Sequence, residues 1–311
     1  MEKPKIEKLI IIGSGPAGLT AAIYGARGGL SPLVVSGREA GGQLVLTTDV
    51  DDYPGFPEGI QGPDLMVKMR KQAQRFDTRF IDQDVTSVDF SKKPFVIITE
   101  DRNLQSESAI IATGASAMWL NLPSEQKLRG KGVSACAVCD GFFFKDKAVI
   151  VIGGGDTAMR EAAFLSKLCK KVTVVHRRGK LRAQVALQEL VKSKPNIDFI
   201  WNTVVEEILG QDKVTGVKLK NTQTGKISEM LIDGVFIAIG HKPNTDFLKG
   251  QLPLDEKGYV VVENETHTKI PGVFVAGDVA DYHYRQAVTA AGMGCKASLD
   301  VEEYLENIKA K

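Results

Sequence analysis

Cys136 and Cys139 stand three positions apart, with Asp140 directly after the second. Sulfurs at that spacing close a small-ring disulfide or open to a dithiol, and a C-x-x-C pair can lower its first thiol's pKa toward the reactive thiolate. Asp140 is placed to hold or supply the proton released in such exchange. Two other chemistries fit the pair alone: half of a zinc site, or a purely structural disulfide. A closed zinc site needs four ligands. Cys169, Cys295 and the four histidines are scattered, so no metal is expected. Four cysteines in 311 residues are no secreted disulfide framework. What decides between the readings is the pair's flanks, each of which carries a nucleotide-binding signature.

The first signature is Gly13-Ser14-Gly15-Pro16-Ala17-Gly18, set between an apolar β-branched run, 6–12, and a helical run from Leu19 to about Gly28. G-x-G-x-x-G gains meaning from that strand–turn–helix setting. Gly13 allows the tight turn, Gly15 lets backbone approach a pyrophosphate, and Gly18 lets the helix pack close on the strand. The helix start then turns its positive end to the phosphates. Glu39, just beyond the second strand 33–35, suits an adenosine ribose. The second signature is Gly153-Gly154-Gly155-Asp156-Thr157-Ala158, after the strand 147–152 and before a helical run 159–168. It begins 140 residues after the first, and the strands that follow, 33–35 and 172–175, keep the same offset. One βαβ plan is used twice. Each copy also has a late strand stopping at glycine, at Ala112-Thr113-Gly114 and at Ala238-Ile239-Gly240.

The copies differ after their second strand. The first offers Glu39. The second offers no acid there but His176, Arg177, Arg178 and, four positions on, Arg182. A free ribose 2′-hydroxyl calls for a carboxylate, a 2′-phosphate for arginines. The second site is therefore expected to select NADPH over NADH.

The remaining elements must hold these groups. A punctuated loop covers 47–55, a helix with Leu65, Met66, Met69 and Ala73 on one face covers 62–76, and short strands are expected at 85–90, 95–99 and 109–112. Residues 241–245 read as a turn-rich break. The strand 272–276 stops at Gly277-Asp278, where a carboxylate points into the ligand crevice of an α/β sheet, suited to the polyol hydroxyls of a cofactor. Arg285-Gln286-Ala287 opens a helix to about Tyr304, whose N-terminus suits negative charge on a reduced flavin. The charge balance is +2, with 40 basic and 38 acidic residues. Nothing in it argues for nucleic acid or a membrane surface. The apolar run 9–12 is too short for a signal peptide or a span. A soluble, cytoplasmic chain is expected.

With these parts placed, nearly the whole chain resembles the low-molecular-weight thioredoxin reductase family of bacterial and plant type. The resemblance is carried in order by Gly13–Gly18, by Ser36–Gln43, by Cys136–Asp140, by Gly153–Ala158 with His176–Arg178 and Arg182, and by Gly277-Asp278 with Tyr284–Ala287. It implies two Rossmann-like α/β domains, doubly wound and three-layered, the second inserted in the first: an FAD-binding domain of residues 1–116 and 246–311, and an NADPH-binding domain of 117–245 carrying the redox disulfide. It extends the cofactor contacts to Gly42, Gln43, Thr47, Asp52, Val85, Ala112, Gly114, Arg285, Gln286, Ala287, Ile239 and Gly240. It also implies the electron path. Hydride passes from NADPH to FAD, electrons go on to Cys139, the flavin-proximal sulfur, and Cys136 attacks the disulfide of thioredoxin with Asp140 as the acid–base group. A domain rotation about crossovers near 115–121 and 241–246, and a homodimer, are expected on the same ground. Val138 stands where many relatives carry Thr, as in the plant-type variant. Asp52 stands where the family often has Asn, and a carboxylate there would repel a reduced, anionic flavin. The alternatives are the same chemistry on another protein disulfide, or a ferredoxin–NADP reductase-like flavoprotein, which lacks the paired cysteines. A non-enzymatic redox sensor would not need two complete nucleotide sites.

Overall fold

The computed structural model describes residues 5–310. The chain divides into two compact units. One runs to Ser116 and resumes at Lys242; the other runs from Ala117 to His241.

In the first unit the strand Ile6–Ile12 is central, with Leu33–Val35 and then Arg79–Ile81 parallel on one side and Asn103–Ile111 parallel on the other. Leu9, Ile10 and Ile11 are fully buried, as a near-continuous apolar strand covered on both faces must be. The far edge of Asn103–Ile111 is shared. Phe95–Thr99 lies antiparallel along residues 103–106, and Val273–Val275 lies parallel along 109–111. Helices Pro16–Arg27 and Ala287–Lys309 cover one face, and small residues set how close they come. A Cβ on Gly294 would stand 2.1 Å from the Ala17 carbonyl oxygen. The opposite face is filled by Val88, Phe95, Ile97, Leu248 and Val279.

The second unit repeats the order. Ala148–Ile152 is central, Lys171–Val175 and Ile197–Ile200 extend to one side, and Gly234–Ile237 and Val133–Ser134 to the other, all parallel. A separate antiparallel sheet is formed by Thr203–Leu209, Gly216–Asn221 and Ile227–Leu231. Corresponding element ends, Ile12 and Ile152, Pro16 and Asp156, Val35 and Val175, each stand 140 positions apart. The molecule therefore contains two Rossmann-like α/β units, the second inserted in the first.

Several elements differ in extent from the sequence expectation. The helices after the glycine turns begin at Pro16 and Asp156, three residues earlier than their apolar periodicity, because the glycine before each already takes the N-cap position. The 62–76 helix ends at Gln74, and the last helix continues to Lys309. The loop 47–55 contains the short strand Asp49–Val50, paired with Ile60–Gln61. His241–Pro243, expected only as a break, pairs with Ala115–Ala117. Both short pairings join segments separated in sequence, which local propensity does not register.

Candidate active site

The redox pair sits in the second unit on a single helical turn. Ala137–Asp140 is a four-residue helix with Cys136 at its N-cap, and Cys136 and Cys139 are joined as a disulfide with Cα atoms 5.4 Å apart. Cys136 Sγ accepts the Cys139 N–H at 3.2 Å, and Asp140 N–H donates to the Cys136 carbonyl at 3.1 Å. Ser134 Oγ accepts the Cys136 N–H at 3.0 Å, which fixes the approach of the preceding strand. Cys139 is exposed and Cys136 half-buried. Val138 between them and Phe142 and Phe143 just after are 52%, 69% and 43% exposed, so the chain that carries the disulfide also shows apolar side chains to solvent. Neither aromatic had a role in the sequence reading, since a Phe-Phe-Phe run after a glycine looks like core. Only Phe144 is core, packed edge-on to Phe236.

The two glycine turns are built alike. A Cβ on Gly13, at φ +111, would stand 2.3 Å from the Ala112 carbonyl oxygen; one on Gly153 would stand 2.4 Å from that of Ala238. A Cβ on Gly15 or Gly155 would meet nothing within 4 Å, so each turn presents open backbone where a phosphate would come. In the first unit Ser14 is buried. Its hydroxyl donates to the Ser36 carbonyl at 2.9 Å and accepts the Gly41 N–H at 3.0 Å. Those bonds hold the 36–42 loop over the turn, where a Cβ on Gly42 would lie 3.4 Å from Gly15 Cα. Gln43 lies in the short helix Gly42–Leu46, followed by Thr47. Glu39 is exposed beside Arg38, which pairs with Glu100 at 2.7 Å. Ala112 and Gly114 close the end of the central strands, and Asn244 N–H donates to the Gly114 carbonyl at 3.0 Å. Gly277 is packed against Ala17 and Ala290. Val85 packs on the sheet core, and Asp52 is exposed in the 51–57 loop.

Asp278 is the telling group of this unit. Its Oδ1 is buried with no hydrogen-bond partner. Burial foremost, and then Asp281, push its carboxyl up to about 7 against the pull of Arg285. An orphaned buried acceptor beside a dinucleotide turn fits the polyol hydroxyls of a flavin nucleotide, which donate hydrogen bonds. Arg285 holds a left-handed φ of 52, and Gln286 forms a capping box with Thr289 at the start of the last helix. A raised carboxyl penalises the ionised folded state. The stability of flavin-free protein should therefore fall as pH rises from about 4 to about 7 and stay low above that. Asp278→Asn cannot ionise. It should exceed wild type by up to about 4 kcal/mol at pH 8 and by nothing near pH 4, read as thermal melts of flavin-free protein across pH. A gap independent of pH would refute this.

In the second unit His176 is 4% exposed. It lies beneath the glycine turn, where a Cβ on Gly154 would meet its ring at 2.3 Å. Burial lowers its pKa; a backbone hydrogen bond at Lys180 opposes this, while Arg182, Arg177 and Arg178 add to it. Its Nε2 is buried with no hydrogen-bond partner. Arg177, Arg178 and Arg182 are exposed. Ile239 and Gly240 follow the strand Gly234–Ile237, and the Gly240 carbonyl accepts the Met118 N–H at 2.9 Å. Three exposed guanidiniums beside an open glycine turn fit a phosphorylated ribose.

One buried carboxylate had no place in the sequence reading. Glu125 is fully buried. It accepts the Leu120 N–H at 2.7 Å and pairs with Arg129 at 2.6 Å, and the Arg129 guanidinium lies 3.8 Å from the Trp119 ring centroid.

Two nucleotide turns, a surface disulfide on a helical turn and a carboxylate after it define a class. The sequence matches the pyridine nucleotide-disulphide oxidoreductase family over residues 7–294, and the chain belongs to that family. A thioredoxin reductase of Coxiella burnetii is 52% identical over 317 residues, covering 99% of each chain. The crystal structure of thioredoxin reductase from Streptococcus pyogenes matches with a TM-score of 0.93 at 41% identity, over 98% of this chain and 100% of that one. The enzyme of Giardia duodenalis matches with a TM-score of 0.94 at 42% identity, over 97% and 100%. Within the family the chain stands with the thioredoxin reductases, as an oxidoreductase of disulfides. Membership implies a flavin and a pyridine nucleotide. No helix among the described residues is long and apolar enough to cross a membrane.

Proposed function

We propose that the chain reduces oxidised thioredoxin with electrons from NADPH, with FAD held by the first unit and NADPH by the second. The observation that carries this is the Cys136–Cys139 disulfide, on a stretch with exposed apolar side chains within the unit that bears the arginine segment. A bound flavin supplies the two-electron carrier between a nicotinamide hydride and a disulfide. Gly13, Gly15, Pro16, Ala17, Gly18, Glu39, Gly42, Asp278 and Ala287 are the groups proposed to hold it.

Reduction breaks the Cys136–Cys139 bond, taking up two electrons and two protons and leaving the Cys136 thiolate, the Cys139 thiol and a protonated Asp140. Exposure alone favours Cys139 as the attacking sulfur. The hydrogen bond from the Cys139 N–H to Cys136 Sγ favours Cys136, and it decides, because thiolate stability and not access governs which sulfur is ionised. Cys136 then attacks the partner disulfide and forms a mixed disulfide, expelling one partner thiolate, which Asp140 protonates. Cys139 gives its proton to Asp140, attacks Cys136 Sγ and restores the disulfide, and the second partner sulfur leaves as a thiolate that takes up that proton. Rotation about the crossovers near 115–121 and 241–246, dimerisation and a cytoplasmic setting rest on the family resemblance.

The direct test is purification of a yellow protein whose colour is bleached by NADPH and restored by oxidised thioredoxin, with thiols produced. A colourless chain that cannot be reconstituted with FAD would overturn the reading, and bleaching without thiols would favour a ferredoxin-type reductase. Two variants examine the parts. Phe142→Ser should raise KM for thioredoxin about tenfold, the scale of an exposed aromatic anchor lost from an interface, with KM for NADPH unchanged. Joint replacement of Arg177, Arg178 and Arg182 by Ala should raise KM for NADPH at least about tenfold, since a single charged contact contributes about 1.5–3 kcal/mol, with much less effect on NADH. Equal losses with both cofactors would remove the 2′-phosphate assignment.

A further inference from the structure

We propose that Asp156 is a positioning residue for cofactor discrimination, acting on the arginine segment and not on the dinucleotide. The inference rests on the NADPH reading of the second site. Asp156 opens the helix that follows the glycine turn. A carboxylate there would repel an incoming pyrophosphate if it faced it. Its Oδ1 accepts the Gln184 N–H at 2.8 Å. Two further bonds run beside that one. The Gly154 carbonyl accepts the N–H of Arg182 at 2.7 Å and that of Ala183 at 3.2 Å. The chain from Arg182 to Gln184 is thereby fastened at three consecutive amides to the turn itself.

Packing sets the direction in which the segment points. Leu181 and Ala183 are buried in the core of the second unit, and Arg182 between them is exposed. At its other end the segment is tied down by the Asn202 N–H, which donates to the Arg178 carbonyl at 3.3 Å, and by the Thr203 N–H on the His176 carbonyl at 3.0 Å. Arg182 lies on the stretch held by Gly154 and Asp156; Arg177 and Arg178 lie on the stretch held by residues 202 and 203. The Gly154 bonds are main-chain and come with the turn. The Asp156 bond alone depends on a side chain, so residue 156 is the tie through which sequence can set how firmly the stretch carrying Arg182 is held against the turn. Control of that kind needs no contact with the ligand: a charged hydrogen bond loses strength steeply once donor and acceptor are pulled beyond contact distance.

The test is calorimetric titration of the purified flavin-loaded protein with adenosine 2′,5′-bisphosphate and with 5′-AMP, which differ only in the 2′-phosphate. Asp156→Ala should reduce the preference for the bisphosphate about fivefold or more, the scale of one lost hydrogen bond, with 5′-AMP affinity within about twofold of wild type. Asp156→Asn keeps an acceptor oxygen and should keep the preference. The inference is overturned if Asp156→Ala leaves the preference intact, if it weakens both nucleotides equally, or if Asp156→Asn behaves like Asp156→Ala. A wild-type protein with no preference for the bisphosphate would remove the NADPH reading itself, and the inference with it.

Discussion

Replacing Cys136 with serine is expected to eliminate reduction of oxidised thioredoxin, by about a thousandfold or more as for other enzymes that lose a nucleophile, while NADPH still bleaches the bound flavin at the wild-type rate. The reason is local. Serine neither forms a disulfide with Cys139 nor ionises near neutral pH, and the Cys139 N–H that Cys136 Sγ accepts at 3.2 Å has no thiolate left to stabilise. The first half-reaction concerns groups other than this sulfur and should persist in stopped-flow absorbance. Cys139→Ser supplies the complementary result. Its Cys136 still attacks but nothing resolves the adduct, so a covalent complex with thioredoxin should accumulate on non-reducing gels. If Cys136→Ser forms that adduct and Cys139→Ser does not, the two sulfurs have exchanged roles.

The second large effect is on stability. Glu125→Ala is expected to cost the second unit about 3 kcal/mol, the lower end of the range for breaking a buried ion pair. Arg129 is partly exposed and recovers some hydration, which places the cost there and not higher. The Leu120 N–H, which Glu125 Oε2 accepts at 2.7 Å, loses its partner outright. Glu125→Gln keeps an acceptor for that amide and should lose about half as much. Urea unfolding followed by Trp119 and Trp201 fluorescence measures both, with the midpoint moving at unchanged slope. The flavin spectrum should not change, because flavin is assigned to the other unit. A loss below about 1 kcal/mol for the alanine variant would mean that the cluster stabilises little.

These two residues also mark what the sequence could disclose. The cysteine pair was legible because its chemistry depends on a three-residue spacing, which is a local property. The doubled fold was legible because strand, glycine turn and helix recur at one offset, and the first glycine of each turn is required by backbone approach to Ala112 or Ala238. Glu125 was not legible. An acid in the first turn of a short helix normally faces solvent, and only the return of Arg129 and the path of residues 119–120 bury it. His176 was grouped with the arginines after it because all four are basic. The structure separates them: the histidine is under the glycine turn and the arginines are outside. Residues 172–175 are all buried, so no alternation announced which way position 176 would point. Asp156 was read as a cofactor residue from its place in the motif, and its bond to Gln184 spans 28 positions that no local pattern connects.

The shared edge of Asn103–Ile111 has a consequence for the order of synthesis. The inserted unit is continuous in sequence and has all its strands once residue 241 has left the ribosome. The first unit at that moment lacks Val273–Val275, the helix over Pro16–Arg27, and the Asp278 carboxylate. Its nascent half must wait, with half an edge of its central sheet uncovered, until Val273–Val275 and the helix Ala287–Lys309 have emerged. On the proposed assignment of flavin to the first unit, pigment joins only after Asp278 has emerged, and a ribosome stalled before that point carries the insert on an incomplete host.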